Sequence, residues 1–223
     1  MGILGDLAGA GAGAAINYAS LMADKKVLMK GASAQQKQAI EYFLPADGCK
    51  GILGKKVTVE EYDSMVDQMV KQINPMKRAL DKIGLDESEL KEIPPVTLVG
   101  YEDSKYSRSS SRGFRSNLYS VTHLFFSATQ VYMYQIILNT MKNERKERTE
   151  EYFYKDITNF STSSDTAEVI NFVGCKQKPV KGSVETQKFS LIVPGDKFTC
   201  STYGDIEQQV RAMKGKLREK KGV

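Results

Sequence analysis

The chain of 223 residues has little cysteine, a single histidine and no tryptophan. Its three cysteines, Cys49, Cys175 and Cys200, lie far apart, and no Cys or His pair has the spacing of a zinc site. An odd number of distant cysteines also argues against a disulfide framework. We therefore expect reduced thiols in a cytoplasmic protein, with no metal and no other cofactor.

Catalytic motifs are equally scarce. The chain has no dinucleotide-binding fingerprint, kinase motif set or nucleophile elbow. Its glycine-rich stretch, 46–56, fails as a phosphate loop, because Cys49 stands in place of the first glycine and Lys56 in place of the magnesium-binding Ser or Thr. His123 lies inside a strand-like run, where a packed structural role is the common one. We predict no catalytic residues, although a triad that includes His123 stays an alternative.

The N-terminus lacks the basic segment of a signal peptide, since its first lysine is Lys25. Residues 1–23 are rich in glycine and alanine, and Gly5, Gly9 and Gly13 fall four residues apart, on one face of a helix. Such a face admits a second backbone at close range. We keep three interpretations of this segment, which are a packed soluble helix, a homo-oligomer contact and a membrane contact.

Helical signals dominate the first half of the chain. Apolar residues recur every three or four positions from Val59 to Ile83, and Thr58 with Glu61 forms a capping box at the start of this helix. Pro75 is expected to kink or restart it. Two short helices are predicted over Ser33–Leu44 and over 86–93, before Pro94. We therefore assign residues 1–95 to a helical domain.

Residues 96–116 are predicted to be one strand followed by a Ser/Arg-rich linker or loop. The strand covers Val96 to Tyr101, and the sequence EDSKYSRSSSRGFRS follows it. Four basic side chains of this stretch are our candidate binding residues, for an anion such as a phosphate group or for a partner: Lys105, Arg108, Arg112 and Arg115. The alternative is a solvated loop without a ligand.

The second half of the chain, assigned as residues 117–223, is rich in β-branched and aromatic residues and ends in an amphipathic helix from about Ile206. The basic excess belongs to this part, since residues 96–223 hold 20 Lys and Arg against 14 Asp and Glu, whereas residues 1–95 hold 12 against 13. This imbalance weakly favours an anionic partner. The charged run ERKER is expected in a loop between two strand-like runs. It is mixed in sign, which argues against nucleic acid.

Four segments carry a resemblance to a known family: LYSVTHLFF at 118–126, EYFYKDITNFST at 151–162, FSLIVPGDKF at 189–198 and DIEQQVRAMKGKL at 205–217. Over about residues 115–218 the chain resembles bacterial pleckstrin-homology-like (PH-like) domains. The N-terminal helical half resembles no family. The resemblance implies an α+β protein, in which a PH-like barrel or sandwich of about seven strands is closed by the C-terminal helix.

The same resemblance implies a binding scaffold for lipid, peptide or protein rather than an enzyme. Phosphoinositide-binding members of the family use a basic cluster in an early hairpin loop. Here the first two long strands, Asn117–Ser127 and Thr129–Leu138, are expected to pair as a hairpin. The turn between them, Ser127-Ala128-Thr129, is short and uncharged, which argues against that mode of binding.

Three hypotheses for function follow. The first is a non-catalytic binding or scaffolding protein that acts through protein–protein contacts of its PH-like domain. The second is a peripheral membrane protein that contacts anionic lipid through its Gly/Ala-rich N-terminus and basic C-terminal helix. The third is an enzyme of an unrecognised class.

Overall fold

A computed structural model describes residues 18–45, 56–85, 94–173 and 177–222. Five helices lie in these ranges: α1 Tyr18–Met29, α2 Ala34–Phe43, α3 Val59–Ile73, α4 Pro75–Ile83 and α5 Glu207–Lys221. The strands are β1 Val96–Tyr101, β2 Ser107–Ser110, β3 Gly113–Ser116, β4 Leu118–Phe126, β5 Gln130–Asn139, β6 Glu144–Phe153, β7 Asn159–Val173, β8 Lys178–Val193 and β9 Asp196–Thr202.

The helices predicted over Ser33–Leu44 and Val59–Ile83 are confirmed, whereas α1 runs to Met29, beyond the segment 1–23 considered as a helix. The Thr58 hydroxyl accepts the Glu61 amide at 3.2 Å, and the Glu61 carboxylate accepts the Thr58 amide at 3.0 Å. The helix stops at Asn74, whose φ is 50°, and a new helix starts at Pro75. Proline is tolerated there because the first turn of a helix needs no amide donor.

Several predictions fall outside the described residues. Gly5, Gly9 and Gly13 lie there, as do the glycine-rich stretch 46–55 and the predicted helix of 86–93. The homo-oligomer contact therefore stays a prediction. No helix in the described ranges combines the length and the apolar composition needed to cross a membrane.

The strands form three antiparallel sheets, ordered β1-β4-β5-β6, β2-β3 and β7-β8-β9. The predicted hairpin of β4 and β5 is confirmed. The run ERKER was expected in a loop, but it belongs to β6, where it pairs with β5. Its charged side chains are mostly exposed because β6 is the outer strand of its sheet, and edge strands commonly carry such charges. Residues 117–223, in which about seven strands were expected, hold six, β4 to β9, whereas β2 and β3 lie in the stretch that was expected to be a linker or loop.

The four-stranded and three-stranded sheets enclose one core with α5. Leu124, Met133, Phe189 and Phe198 contribute buried side chains from the two sheets. The stripe predicted on the last helix lies in the same core: Ile206, Val210, Met213 and Leu217. The prediction of a mixed α+β fold is thus confirmed. In the part of the chain that the structure describes, the strands do not close into a barrel.

A second buried cluster joins the helical half to the strands. It contains side chains of α1, α2 and α3, together with side chains from β1, β3 and β7. Tyr62 of α3 lies at its centre, fully buried, and stacks on Tyr42 at 4.5 Å. The Tyr62 hydroxyl donates to the Ser116 carbonyl at 2.7 Å. The long β7–β8 hairpin reaches this cluster through Ala167 and Val169. The two halves are therefore packed against each other.

A third cluster covers the outer face of the four-stranded sheet. The helix α4 lies over this face, and Ala79 packs with residues of β4 and β5 such as Phe125, Tyr134 and Ile136. Each face of the sheet is thus covered, by the core shared with the three-stranded sheet and α5 on one side and by the helices on the other. This double covering explains why β4 and β5 are apolar on both faces.

Candidate functional site: the arginine hairpin and the adjoining cleft

Residues 107–116 form a β-hairpin, β2–β3, instead of the expected solvated loop. We call this element the arginine hairpin. Serines and arginines supply little apolar surface of their own, so its order comes from distant partners. The Ser107 hydroxyl donates to the Glu168 carbonyl at 2.8 Å, and the Ser109 amide donates to the Asn171 side chain at 3.2 Å. The hairpin is thereby attached to β7.

Arg115 is the most deeply buried cation of the hairpin, with a side chain only 1% exposed. Its guanidinium binds the Asp63 carboxylate of α3 through two nitrogens, Nε at 2.7 Å and Nη2 at 3.0 Å. Nη1 donates to the carbonyls of Arg112 and Phe114. The rings of Tyr101 and Tyr203 lie 4.9 and 4.5 Å from the guanidinium carbon. Such paired and stacked geometry stabilises a buried arginine.

Asp63 is held ionised by this arrangement. Burial alone would raise its pKa, but the hydrogen bond and charge of Arg115, helped by Tyr101 and Arg112, outweigh burial and place the pKa below its usual value. The Tyr101 hydroxyl donates to Asp63 at 3.1 Å. Asp63 therefore connects α3 with β1 and with the arginine hairpin.

The other three candidate residues also contact the helical half. Arg112 lies 3.3 Å from Asp63 and 3.5 Å from Glu60. Lys105 pairs with Asp24 of α1 at 2.6 Å. Arg108 donates to the Tyr42 carbonyl, and its guanidinium lies between the rings of Tyr42 and Phe172.

The four basic residues, predicted as candidates for binding an anion or a partner, lie in separate places in the structure. It brings Arg112 and Arg115 together at Asp63, and it places Lys105 and Arg108 against other partners. Three of the four cations face carboxylates of the chain itself. Their structural role is thus to attach the strands to the helices, and their binding of an anion or a partner stays a prediction.

A cleft of about 640 Å³ opens beside the arginine hairpin. Its floor continues the inner face of the three-stranded sheet beyond the apolar core. Because side chains alternate along a strand, Gln187 follows Phe189 on β8 and Thr202 follows Cys200 on β9. The walls are the tip of the arginine hairpin and the segment that leads into α5, which carries Tyr203 and Asp205.

The lining of the cleft is polar and rich in hydroxyl groups. It includes Ser163, Ser164, Thr186 and Thr202. Glu185, Asp205 and Glu207 add carboxylates, whereas Arg112 is the one cation among the described lining residues. Since Arg112 already pairs with α3, the cleft itself has an excess of negative charge. It can offer hydrogen-bond acceptors and a single exposed ring, that of Tyr203.

His123, on which an enzymatic alternative depends, does not line this cleft. It is 4% exposed, and burial lowers its pKa to about 4. Its Nδ1 lies 2.9 Å from the Thr97 hydroxyl, which supports a structural role. Cys200 is buried as well, and burial raises the pKa of its thiol to about 12, so the thiol is protonated and a poor nucleophile.

The described residues also show no cluster of side chains suited to a metal site. In the described parts of the chain, no group of three or more His, Cys, Asp or Glu side chains has a geometry that could hold a metal ion.

The basic C-terminal helix has its apolar side turned inward. Val210, Met213 and Leu217 are buried in the core, so they are not available for insertion into a bilayer. Its last turn carries Arg218, Lys220 and Lys221, and Lys216 pairs with Glu219 at 2.8 Å. Contact with anionic lipid would thus be electrostatic, and membrane association stays a prediction.

The chain matches no protein-family model, no curated protein and no solved structure. The function of this chain is therefore inferred from the geometry of its described residues. Sequence analysis missed Asp63, Tyr203 and the cleft. Asp63 is 52 residues from Arg115, and it looks like an ordinary solvated residue on the polar side of α3. No local signal could have identified the pair.

Proposed function

We propose that this is a non-catalytic binding or scaffolding protein of PH-like type, which acts through protein–protein contacts made at the cleft beside the arginine hairpin. The cleft is the observation that carries the proposal. It is concave and polar, its floor is a β-sheet, and one wall is fixed by the buried Arg115–Asp63 pair. A site held rigidly before binding loses little entropy when a partner docks.

The order of elements supports the PH-like part of the proposal. Four strands in one meander, β1, β4, β5 and β6, are followed by the three strands β7–β9 and then by α5 over their shared core. Seven strands closed by a C-terminal helix is the arrangement that the resemblance implies. The arginine hairpin is then an addition between the first two strands, and the helical half is an addition before them.

A protein ligand fits the cleft better than a phosphoinositide does. The excess of carboxylates in the lining repels phosphate groups, and the basic residues expected to attract them are occupied by Asp24, Asp63 and Glu60. A cytoplasmic location agrees with this proposal. The peripheral membrane protein stays the alternative, through residues 1–17 and the cations of α5.

The test is a cleft-blocking variant in affinity capture from the native host. Ser164 is exposed and lines the cleft, so Ser164→Trp fills it without disturbing a buried group. Thr149→Trp is the matched control, since Thr149 is an exposed strand hydroxyl residue on β6, outside the lining.

We expect a protein that co-purifies with the wild type and with Thr149→Trp but is lost with Ser164→Trp. The purified partner should then bind directly in calorimetry, with the same dependence. Partners that bind all three proteins equally would place the contact surface elsewhere and refute the proposed site.

A further inference from the structure

The charge of the cleft lining indicates the chemistry of its ligand. Arg112, its one cation among the described lining residues, lies within 3.5 Å of Glu60 and Asp63 of α3, so its charge is balanced outside the cleft. Three carboxylates remain, those of Glu185, Asp205 and Glu207. An anionic ligand would meet like charge in a confined space, whereas a cationic ligand would meet opposite charge.

The three carboxylates differ in the hydrogen bonds and ion pairs that they already form within the protein. Glu207 pairs with Arg211 at 3.2 Å, so its charge is offset by a neighbouring cation, as the charge of Arg112 is offset by α3. Asp205 accepts the backbone amide of Glu207 at 2.8 Å. The carboxylate of Glu185 has no hydrogen bond or ion pair within the described ranges, and this side chain is exposed on β8. Glu185 is therefore the carboxylate most available to a ligand.

Two further groups of the cleft complement a donor-rich cation. Thr202 is 8% exposed, and its hydroxyl has no hydrogen-bond partner within the described ranges. Tyr203 is 47% exposed, although it is a large aromatic side chain. One face of its ring stacks on Arg115, which is itself neutralised by Asp63. A lysine or arginine side chain carries only donors, which suit a free hydroxyl, carboxylates and an aromatic ring.

We propose that the cleft binds a basic peptide segment of a partner protein, with a lysine or arginine side chain directed at Glu185 between β8 and Tyr203. This inference rests on the proposed function and adds the chemistry of the partner. It also reverses the expectation of an anionic partner, because the cations next to the cleft are paired: Lys105, Arg112 and Arg115 bind carboxylates of the helical half.

The experiment uses three labelled peptides of twelve residues, built as four repeats of Lys-Ser-Gly, Gln-Ser-Gly or Glu-Ser-Gly, and the whole chain at low salt. Fluorescence anisotropy measures binding to the wild type, to Glu185→Gln, to Glu185→Lys and to Glu41→Gln. Glu41 is an exposed glutamate of α2 outside the cleft lining, so Glu41→Gln carries the same change of charge as Glu185→Gln.

We expect saturable binding of the lysine peptide alone. Glu185→Gln should weaken it roughly two- to fivefold, as is typical for the loss of one partly exposed ion pair, and Glu185→Lys should weaken it further. Glu41→Gln should leave the affinity unchanged, and added salt should reduce it.

Three outcomes would overturn the inference: no binding of the lysine peptide, equal or tighter binding of the glutamate peptide, or equal losses in Glu185→Gln and Glu41→Gln. A partner that is lost with Ser164→Trp but keeps its affinity for Glu185→Lys would agree with the proposed function. It would refute only the proposal that the cleft binds a basic segment. Thr202→Val, which removes the free hydroxyl at nearly constant volume, should also weaken the lysine peptide. An unchanged affinity in that variant would exclude the hydroxyl as a contact.

Discussion

The single histidine offers a direct test of how tightly the helices cover the four-stranded sheet. His123 lies on the face of β4 covered by α4, with its ring 6.4 Å from that of Tyr134. Burial lowers its pKa to about 4, from a usual value of 6.5. Its Nε2 has no partner within the described ranges, so no carboxylate compensates a proton there. The folded protein therefore keeps His123 neutral at pH values where the unfolded chain is protonated.

The sign of the effect follows from proton binding. Between the two pKa values the unfolded chain binds more protons, so acid favours unfolding, and the stability present at pH 7 falls as the pH passes below 6.5 toward 4. From pH 7 to pH 5 this linkage amounts to roughly 2 kcal/mol of unfolding free energy. Glu147, a carboxylate of the same face, does not interfere, because Lys82 and Arg78 outweigh its burial and hold its pKa below the usual value.

The assay is urea unfolding at pH 7, 6 and 5, followed by circular dichroism, for the wild type and for His123→Gln. We expect the wild type to lose stability along this series, whereas His123→Gln, less stable at pH 7, should change little. The titration of the lone histidine by proton NMR gives the pKa directly. A midpoint near 6.5, or the same loss of stability in both proteins, would show that α4 does not seal this face.

Further predictions concern stability at neutral pH, measured by urea or thermal unfolding. Arg115→Met should cost about 3 kcal/mol, the low end of the range for a broken buried ion pair, because the partly buried Asp63 loses its main cation but keeps Tyr101 and Arg112, and adding Asp63→Asn should recover part of that loss. Tyr62→Phe should cost about 1–3 kcal/mol through the unpaired Ser116 carbonyl. Gly100→Ala should cost at least about 1–3 kcal/mol, since the new methyl group would lie 2.3 Å from a backbone oxygen of β9. Gly215→Ala, with open space in α5, should instead gain about 1 kcal/mol.

The elements that sequence analysis predicted well are those coded by neighbouring residues. The capping box of Thr58 and Glu61 and the restart at Pro75 each depend on contacts within one turn of helix. The β4–β5 hairpin is similarly local, because a three-residue break separates two apolar runs. In each case the residues whose interaction determines the structure lie within a few positions of each other in the sequence.

The elements that it predicted wrongly are fixed by distant residues. In the sequence, the arginine hairpin looks like a solvated loop. Its strands are stabilised by contacts with Asp63, Tyr42 and β7, which are distant along the chain. The run ERKER lacks apolar residues, and it becomes a strand because β5 offers it a partner edge. The cleft is harder still to predict. Its charge depends on which carboxylates form ion pairs with the arginines, and these pairs join residues that are distant in the sequence.

The same pairing has a consequence for how the chain unfolds. Sequence analysis assigned residues 1–95 and 117–223 to separate units, yet one buried cluster draws on both, and Asp63 and Asp24 bind cations of the stretch between them. Opening this junction would expose apolar surface and separate a buried ion pair, so neither half can unfold without destabilising the other. We therefore expect one calorimetric transition, in which the van't Hoff and calorimetric enthalpies agree. Arg115→Met should lower the midpoint of that single transition; a second transition, unaffected by the substitution, would show that the halves are stable alone and that the arginine hairpin only connects them.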